Sequence, residues 1–122
     1  MDMAEVEPER HEISPQMRRS IEATSDCYMV CSETLRFSLD GRAELSLPSH
    51  IRLLVDCGEI LQATQDAMLR GSELSLMLTA ICMEACEKLA LSCRSMNGVD
   101  PQLAACAEAC EETAEACRAL SV

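Results

Sequence analysis

The sequence predicts an all-α protein, an antiparallel four-helix bundle with inward-facing cysteines. Aromatic residues make up only 2% of the chain and hydrophobic residues 48%, so the core must be built from Leu, Ile, Met, Ala and Cys. This composition favours helices, because strands prefer aromatic and β-branched residues. Start and stop signals divide the chain into four segments, within which apolar residues and cysteines recur at steps of three and four. That spacing is typical of helix faces directed at a bundle axis.

The first helix begins at Ser14-Pro15. Serine is a favoured N-cap, and proline is well suited to the first helical position. We expect this helix to end near Leu39, where Asp40-Gly41 stops it.

Proline and glycine also bound the second and third helices. Pro48 opens the second helix, and Gly71 is suited to the left-handed position that follows its end. Ser72 then caps the third helix, and Asn97-Gly98 ends it.

The fourth helix begins at Asp100-Pro101 and runs to the C-terminus. Each predicted helix contains roughly 20 to 25 residues and is therefore about 30 Å long. The second and third connections are short, so they place neighbouring helices antiparallel.

The remaining sequence and the overall charge limit the compartment and the partners. Residues 1–13 are predicted to form a disordered acidic tail, and residues 14–122 the bundle domain. The formal net charge of -11 argues against binding to nucleic acid or to an anionic membrane. No segment approaches the roughly 20 apolar residues of a membrane span, and the N-terminus does not resemble a secretory signal. We therefore expect a cytoplasmic protein.

The chain contains nine cysteines. They are Cys27 and Cys31 in the first helix, Cys57 in the second, Cys82, Cys86 and Cys93 in the third, and Cys106, Cys110 and Cys117 in the fourth. The third and fourth helices share the spacing C-x3-C-x6-C. At 100° per residue, offsets of 4 and 11 fall at about 40° and 20°. The three thiols of each helix therefore lie along one narrow stripe facing the axis.

Thiols in this arrangement indicate a site for a soft metal ion. An odd number of cysteines in a reducing compartment favours free thiols over disulfides. Thiolate suits Cu(I), Zn(II) or an iron–sulfur cluster, and two thiols one helical turn apart can turn toward one ion. Structural zinc often uses a C-x2-C knuckle, which the sequence lacks. The predicted ligand is Cu(I), with Zn(II) or no metal as alternatives.

An enzymatic function is not expected. A catalytic thiol needs a neighbouring histidine base, and the chain has only His11, in the predicted tail, and His50.

The segments CMEACEKLALSC and CAEACEETAEACRAL resemble the cysteine-rich four-helix-bundle copper-binding proteins, the copper storage family. The resemblance covers roughly Ser20 to Leu120. It implies that core thiolates hold Cu(I) ions for cytosolic sequestration, buffering or storage. Family members carry further cysteines where this chain has other residues, so the resemblance also implies a lower capacity. The substituted positions are His50, Thr24, Thr34, Ser38, Leu61, Thr79, Leu89, Leu103 and Thr113.

Two further side chains are candidate metal ligands. Met96 lies at the end of the cysteine stripe of the third helix, and thioether also binds Cu(I). His50 opens the second helix, where it is either a ligand at the mouth of the bundle or a partly exposed residue. Other methionines are expected to fill gaps in the core; they are Met29, Met68, Met77 and Met83.

Two other functions agree with the same residues. The first is a structural or oligomerising helical bundle in which cysteine serves only for packing. The second is a zinc or thiol-redox protein, although a redox sensor should expose one thiol of low pKa rather than bury a row of them. The expected partners are copper ions and, in a homo-oligomer, further copies of the chain as a dimer or tetramer.

Overall fold

The computed structural model describes residues 13–40, 47–96 and 100–120. Within these ranges the chain forms four helices and no strand, which confirms the predicted all-α fold. The helices are α1 (Pro15–Leu39), α2 (Pro48–Leu69), α3 (Ser75–Met96) and α4 (Pro101–Leu120). Apart from Ile13, the predicted acidic tail lies outside the described residues, as does the Asn97-Gly98 stop signal.

The ends of α1 and α2 have the predicted local chemistry. The Ser14 Oγ accepts a hydrogen bond from the Met17 N–H at 3.1 Å, which satisfies a backbone donor of the first turn. At the other end of α1, the Asp40 N–H donates to the carbonyl oxygen of Arg36 at 3.1 Å. Gly71, just beyond α2, has a φ of 65°. This left-handed conformation is strained for any residue with a Cβ atom and explains the glycine.

The start of α3 differs from the prediction. The Ser72 Oγ accepts a hydrogen bond from the Leu74 N–H at 3.1 Å, and the Ser72 carbonyl oxygen accepts one from the Ser75 N–H, also at 3.1 Å. These bonds close a separate turn, so the regular helix begins at Ser75 rather than directly after Ser72. In contrast, α4 begins at Pro101 as predicted. Asp100 caps it, because its Oδ1 accepts hydrogen bonds from the N–H groups two and three residues further on.

The four helices form an antiparallel bundle in which each helix packs against two neighbours. α1 contacts α2 and α4, and α3 contacts α2 and α4. The direction of the helices follows from hydrogen bonds between α1 and α4, which join Ser20 to Ala116 near one end and Thr34 to Gln102 near the other. The axis-facing row of each helix therefore meets three others in a common core.

The core is built from cysteine, leucine and hydroxyl side chains at the predicted positions. The large apolar residues of the core are at most 2% exposed; they are Leu54, Leu61, Leu89 and Leu103. The buried hydroxyls donate to backbone carbonyl oxygens, as Thr34 does to Val30 at 2.7 Å and Thr64 to Ile60 at 2.7 Å. Their burial therefore leaves no hydroxyl donor unpaired.

The prediction that four methionines fill the core is wrong for two of them. Met29 and Met77 are 63% and 64% exposed, because they lie off the axis-facing rows of their helices. Met68 is buried and Met83 is half-buried. Among the described residues, none of the helices combines the length and the hydropathy needed to cross a membrane.

We predict that the bundle is already folded in the absence of metal. Its core is closed by apolar contacts and internal hydrogen bonds, so metal is not required for collapse as it is in a zinc finger. Far-ultraviolet circular dichroism of chelator-treated, reduced protein should show a strongly helical spectrum and cooperative thermal unfolding. A random-coil spectrum that becomes helical only after Cu(I) is added would contradict this prediction.

Candidate metal centre

All nine cysteines are buried in the centre of the bundle, and each side chain is at most 1% exposed. They occur as free thiols in the structure. We call these nine residues the thiol row. The distances between the sulfur atoms decide what the thiol row can bind.

The thiols of α3 and α4 meet at three levels along the axis. Cys82 and Cys93 are eleven residues apart, so the levels extend over about 16 Å. The cross-helix neighbours are Cys82 with Cys117, Cys86 with Cys110, and Cys93 with Cys106. This is the order that an antiparallel hairpin predicts, with the Cys93 level nearest the connection between the two helices.

Helices α1 and α2 bring three more thiols to these levels. The closest Sγ–Sγ distances are 3.9 Å for Cys27–Cys31, 3.8 Å for Cys27–Cys110, 4.0 Å for Cys31–Cys106 and 3.9 Å for Cys57–Cys86. These distances are well beyond the 2.0 Å of a disulfide bond. They correspond to weak thiol hydrogen bonds, which link the thiols of α1 to those of α4 and the thiol of α2 to one of α3.

Two groups of three thiols have the geometry of a small metal site. Cys27, Cys31 and Cys110 form one triad and Cys57, Cys86 and Cys110 the other, and within each triad all Sγ atoms lie within 4.8 Å of one another. An ion about 2.3 Å from each of three sulfurs, as in zinc–thiolate bonds, requires sulfurs about 4 Å apart. Both triads are therefore close to the required size. Cys110 belongs to both.

Hydrogen bonds between the thiols shift their pKa values in opposite directions. The pKa of Cys82 is lowered to about 5, because Cys117 and Cys86 donate hydrogen bonds to its sulfur, which stabilises the thiolate. The pKa of Cys110 is raised, because its thiol donates to Cys106 and other neighbours and because it is buried. Protons of these contacting thiols therefore titrate together.

His50 is buried rather than partly exposed at the helix start, with 1% of its surface accessible. Its Nδ1 lies 2.8 Å from the Ser92 Oγ, whereas its Nε2 is buried and has no hydrogen-bond partner among the described residues. Burial lowers the pKa of the imidazole, and the nearby Cys106 opposes this shift. A neutral ring that donates from Nδ1 to Ser92 keeps a lone pair free on Nε2, as metal-binding histidines do.

Met96 and Ser92 complete the description of this end of the bundle. Met96 is half-buried and packs against the core, one turn beyond Cys93 at the C-terminal end of α3. Ser92 was not among the residues predicted from the sequence. It lies outside the axis-facing row, so no periodic signal distinguishes it from other surface serines.

The sequence matches the family model described as copper storage protein over residues 13–122. No curated protein matches the sequence at a significant level.

Solved structures with the same fold include several copper proteins. Cu(I)-bound copper storage protein BsCsp3 is 28% identical, with a TM-score of 0.82 over 88% of this chain and 99% of that one. A protein from Nitrosospira multiformis is 29% identical, with a TM-score of 0.79 over 87% of this chain and 94% of the other. A cytosolic copper storage protein from Streptomyces lividans, loaded with five coppers, is 25% identical, with a TM-score of 0.79 over 86% and 91% of the two chains.

Proposed function

The chain belongs to the copper storage protein family, and from the geometry of its thiol row we propose how it holds Cu(I) as cargo. It binds Cu(I) through core cysteine thiolates and serves to sequester, buffer or store copper. The observation that carries the proposed arrangement is the pair of sulfur triads that share Cys110. The proposed sulfur ligands are Cys27, Cys31, Cys57, Cys82, Cys86, Cys93, Cys106, Cys110 and Cys117.

Binding exchanges protons for copper. Each thiol that coordinates an ion loses its proton, a copper–sulfur bond replaces the S–H bond, and copper stays in the +1 state. Within a triad, one Cu(I) takes two or three thiolates. Because Cys110 belongs to both triads, its thiolate bridges two neighbouring ions. Sharing a ligand in this way lets a few cysteines hold more copper than separate pairs of cysteines would.

The two ends of the thiol row offer smaller sites. At one end lies the pair Cys82 and Cys117. At the other end, Cys93 and Cys106 are neighbours, and His50 is close enough to Cys106 to interact with it electrostatically. Met96 packs against the core at the same end. We propose that His50 and Met96 complete a site there with the two thiolates.

The number of Cu(I) ions that the bundle can hold is limited by the residues other than cysteine at axis-facing positions. Hydroxyl oxygens are hard ligands that Cu(I) does not favour, and those of Thr24 and Thr34 already donate to carbonyl oxygens of their own helix. Leu54 and Leu61 flank Cys57 in α2. The number of ions bound is therefore smaller than in a bundle lined throughout by thiols.

Location, catalysis and assembly are further parts of the proposal. We place the chain in the cytoplasm, where thiols stay reduced, and assign it no enzymatic activity. We also propose a homo-oligomer, either a dimer or a tetramer. Its interface would be an exposed apolar face at the start of α3, formed by Leu74 of the preceding turn and by Met77 and Ile81 of α3. These residues are 45–64% exposed and follow one another at steps of three and four.

For the central site, we predict that substitution of one cysteine of α4 has a large effect on copper binding. Cys110→Ala removes a ligand from both triads and should weaken the binding of the ion in each, because each triad then keeps only two of its three thiols. Cys117→Ala is the matched control, because it makes the same change in the same helix at an equally buried end position and should lose at most about one ion. Anaerobic titration with Cu(I) against a competing chelator measures both.

Folding must be verified by circular dichroism, because each substitution leaves a cavity. If folded Cys110→Ala protein binds as many ions as the parent and with the same affinity, the shared-triad arrangement is wrong.

His50→Ala should weaken the end site and leave the central ions unchanged. Loss of the histidine ligand should lower the affinity of the end site for one ion. Ser92→Ala removes the partner of Nδ1 and should lower the same affinity by roughly 10- to 100-fold, as is typical of outer-shell partners. Competition with chelators of graded affinity measures both variants. Unchanged affinity in His50→Ala would remove the histidine from the ligand set.

The proposed oligomer predicts a solution mass above that of the 13.4 kDa monomer in light scattering. Met77→Glu should reduce the mass toward the monomer, because it places a charge in the apolar face. Leu76→Glu is the control, since that side chain is also exposed but lies on another side of α3. A monomeric parent protein would contradict the proposal.

A further inference from the structure

A groove on the outside of the bundle, between α1 and α2, leads toward the thiol row. The groove is open to solvent and has a volume of about 480 Å³. Cys31 is the cysteine that lines it, although the side chain itself is only 1% exposed. Tyr28 and Leu54 flank the groove beside Cys31. A central thiol is therefore separated from the surface by a thin layer of side chains, away from both ends of the bundle.

The wall of this groove contains a glycine that the fold does not require. Gly58 lies in the interior of α2, where glycine is unfavourable compared with alanine. A Cβ atom built at Gly58 would meet no other atom within 4 Å, and the residue does not have a positive φ. Neither packing nor backbone conformation accounts for the missing side chain. Its absence keeps the wall of the groove open beside Cys31.

Cys31 is also well placed to pass copper on to other thiols. Its Sγ lies 3.9 Å from that of Cys27 and 4.0 Å from that of Cys106. The first contact leads to the triads that share Cys110, and the second leads toward Cys93 at the histidine end. An ion that reaches Cys31 can therefore move in either direction by exchanging one sulfur partner at a time.

We infer that this groove is a lateral entrance through which Cu(I) reaches the thiol row at Cys31, an inference that rests on the proposed function. Glu59 and Asp66 line the groove, so its charge attracts a cation. In the transfer, the bond between Cu(I) and its carrying ligand breaks and a bond to the Cys31 Sγ forms. The thiol proton passes to the freed ligand or to water, and copper stays in the +1 state.

The test compares two substitutions at Gly58. Gly58→Leu fills the groove, whereas Gly58→Ala adds one methyl group in open space and serves as the control. Rapid mixing of metal-free protein with a coloured Cu(I)–chelator complex gives the transfer rate. We expect Gly58→Leu to slow transfer at least about tenfold and Gly58→Ala to stay within about twofold of the parent, with the same number of ions bound at equilibrium in all three. Equal rates in all three proteins would overturn the lateral entrance.

Thiol labelling provides a second test that does not depend on copper. The metal-free parent is treated briefly with methyl methanethiosulfonate, a small neutral reagent, and the labelled cysteines are identified by peptide mass spectrometry. Cys31 should react first, and Gly58→Leu should slow its labelling but not that of Cys117. Faster labelling of Cys93 or Cys117 than of Cys31 would overturn the inference. If the parent binds no Cu(I), the proposed function fails, whereas normal capacity with unchanged transfer in Gly58→Leu rejects only the entrance.

Discussion

Sulfur atoms about 4 Å apart on the bundle axis are the constraint on which the rest of this structure depends. Cysteine is small, so four helices can approach closely enough for Cys27, Cys57, Cys86 and Cys110 to meet within one central region. A large aromatic ring at this level would separate the helices and open the triads. The two aromatic residues are accordingly half-buried outside the axis, and the remaining core volume is filled by leucine and by small hydroxyl residues.

The closed core also explains how the thiols are held in position before any metal ion binds. The buried hydroxyls donate to nearby carbonyl oxygens, as Ser38 does to Thr34 at 2.8 Å, so they neither need an ion nor compete for one. The thiols are already at distances suited to coordination, so little ordering of side chains accompanies binding, and less of the binding free energy is lost to it. This differs from a zinc finger, in which metal binding and folding are one process.

Helical periodicity accounts for most of what could be predicted from the sequence, because a helix turns by nearly the same angle at each residue and the cysteines form one row on each helix. Contacts between residues of different helices are harder to predict. The sharing of Cys110 by two triads depends on the axial offset of neighbouring helices, which no single segment encodes. The burial of His50 depends on Ser92 from another helix, and the exposure of Met77 on the width of the buried face. The turn at Ser72 depends on hydrogen bonds that its side chain and carbonyl oxygen accept from the N–H groups of Leu74 and Ser75.

The continuity of the sulfurs matters for movement of copper within the bundle. A bare cation in a dry core is strongly disfavoured, so an ion can migrate only while it remains bonded to sulfur. The contacts provide such a path, because each thiol lies near the next: Cys93, Cys106, Cys31, Cys27, Cys110, Cys86, Cys82 and Cys117. Cys57 joins the path at Cys86. It is the only cysteine of α2, because leucines occupy the neighbouring core positions of that helix. The leucines therefore reduce the number of ligands on one helix without interrupting the path. With the ligand set that we propose, ions gained or lost at any point along the path redistribute through the whole row.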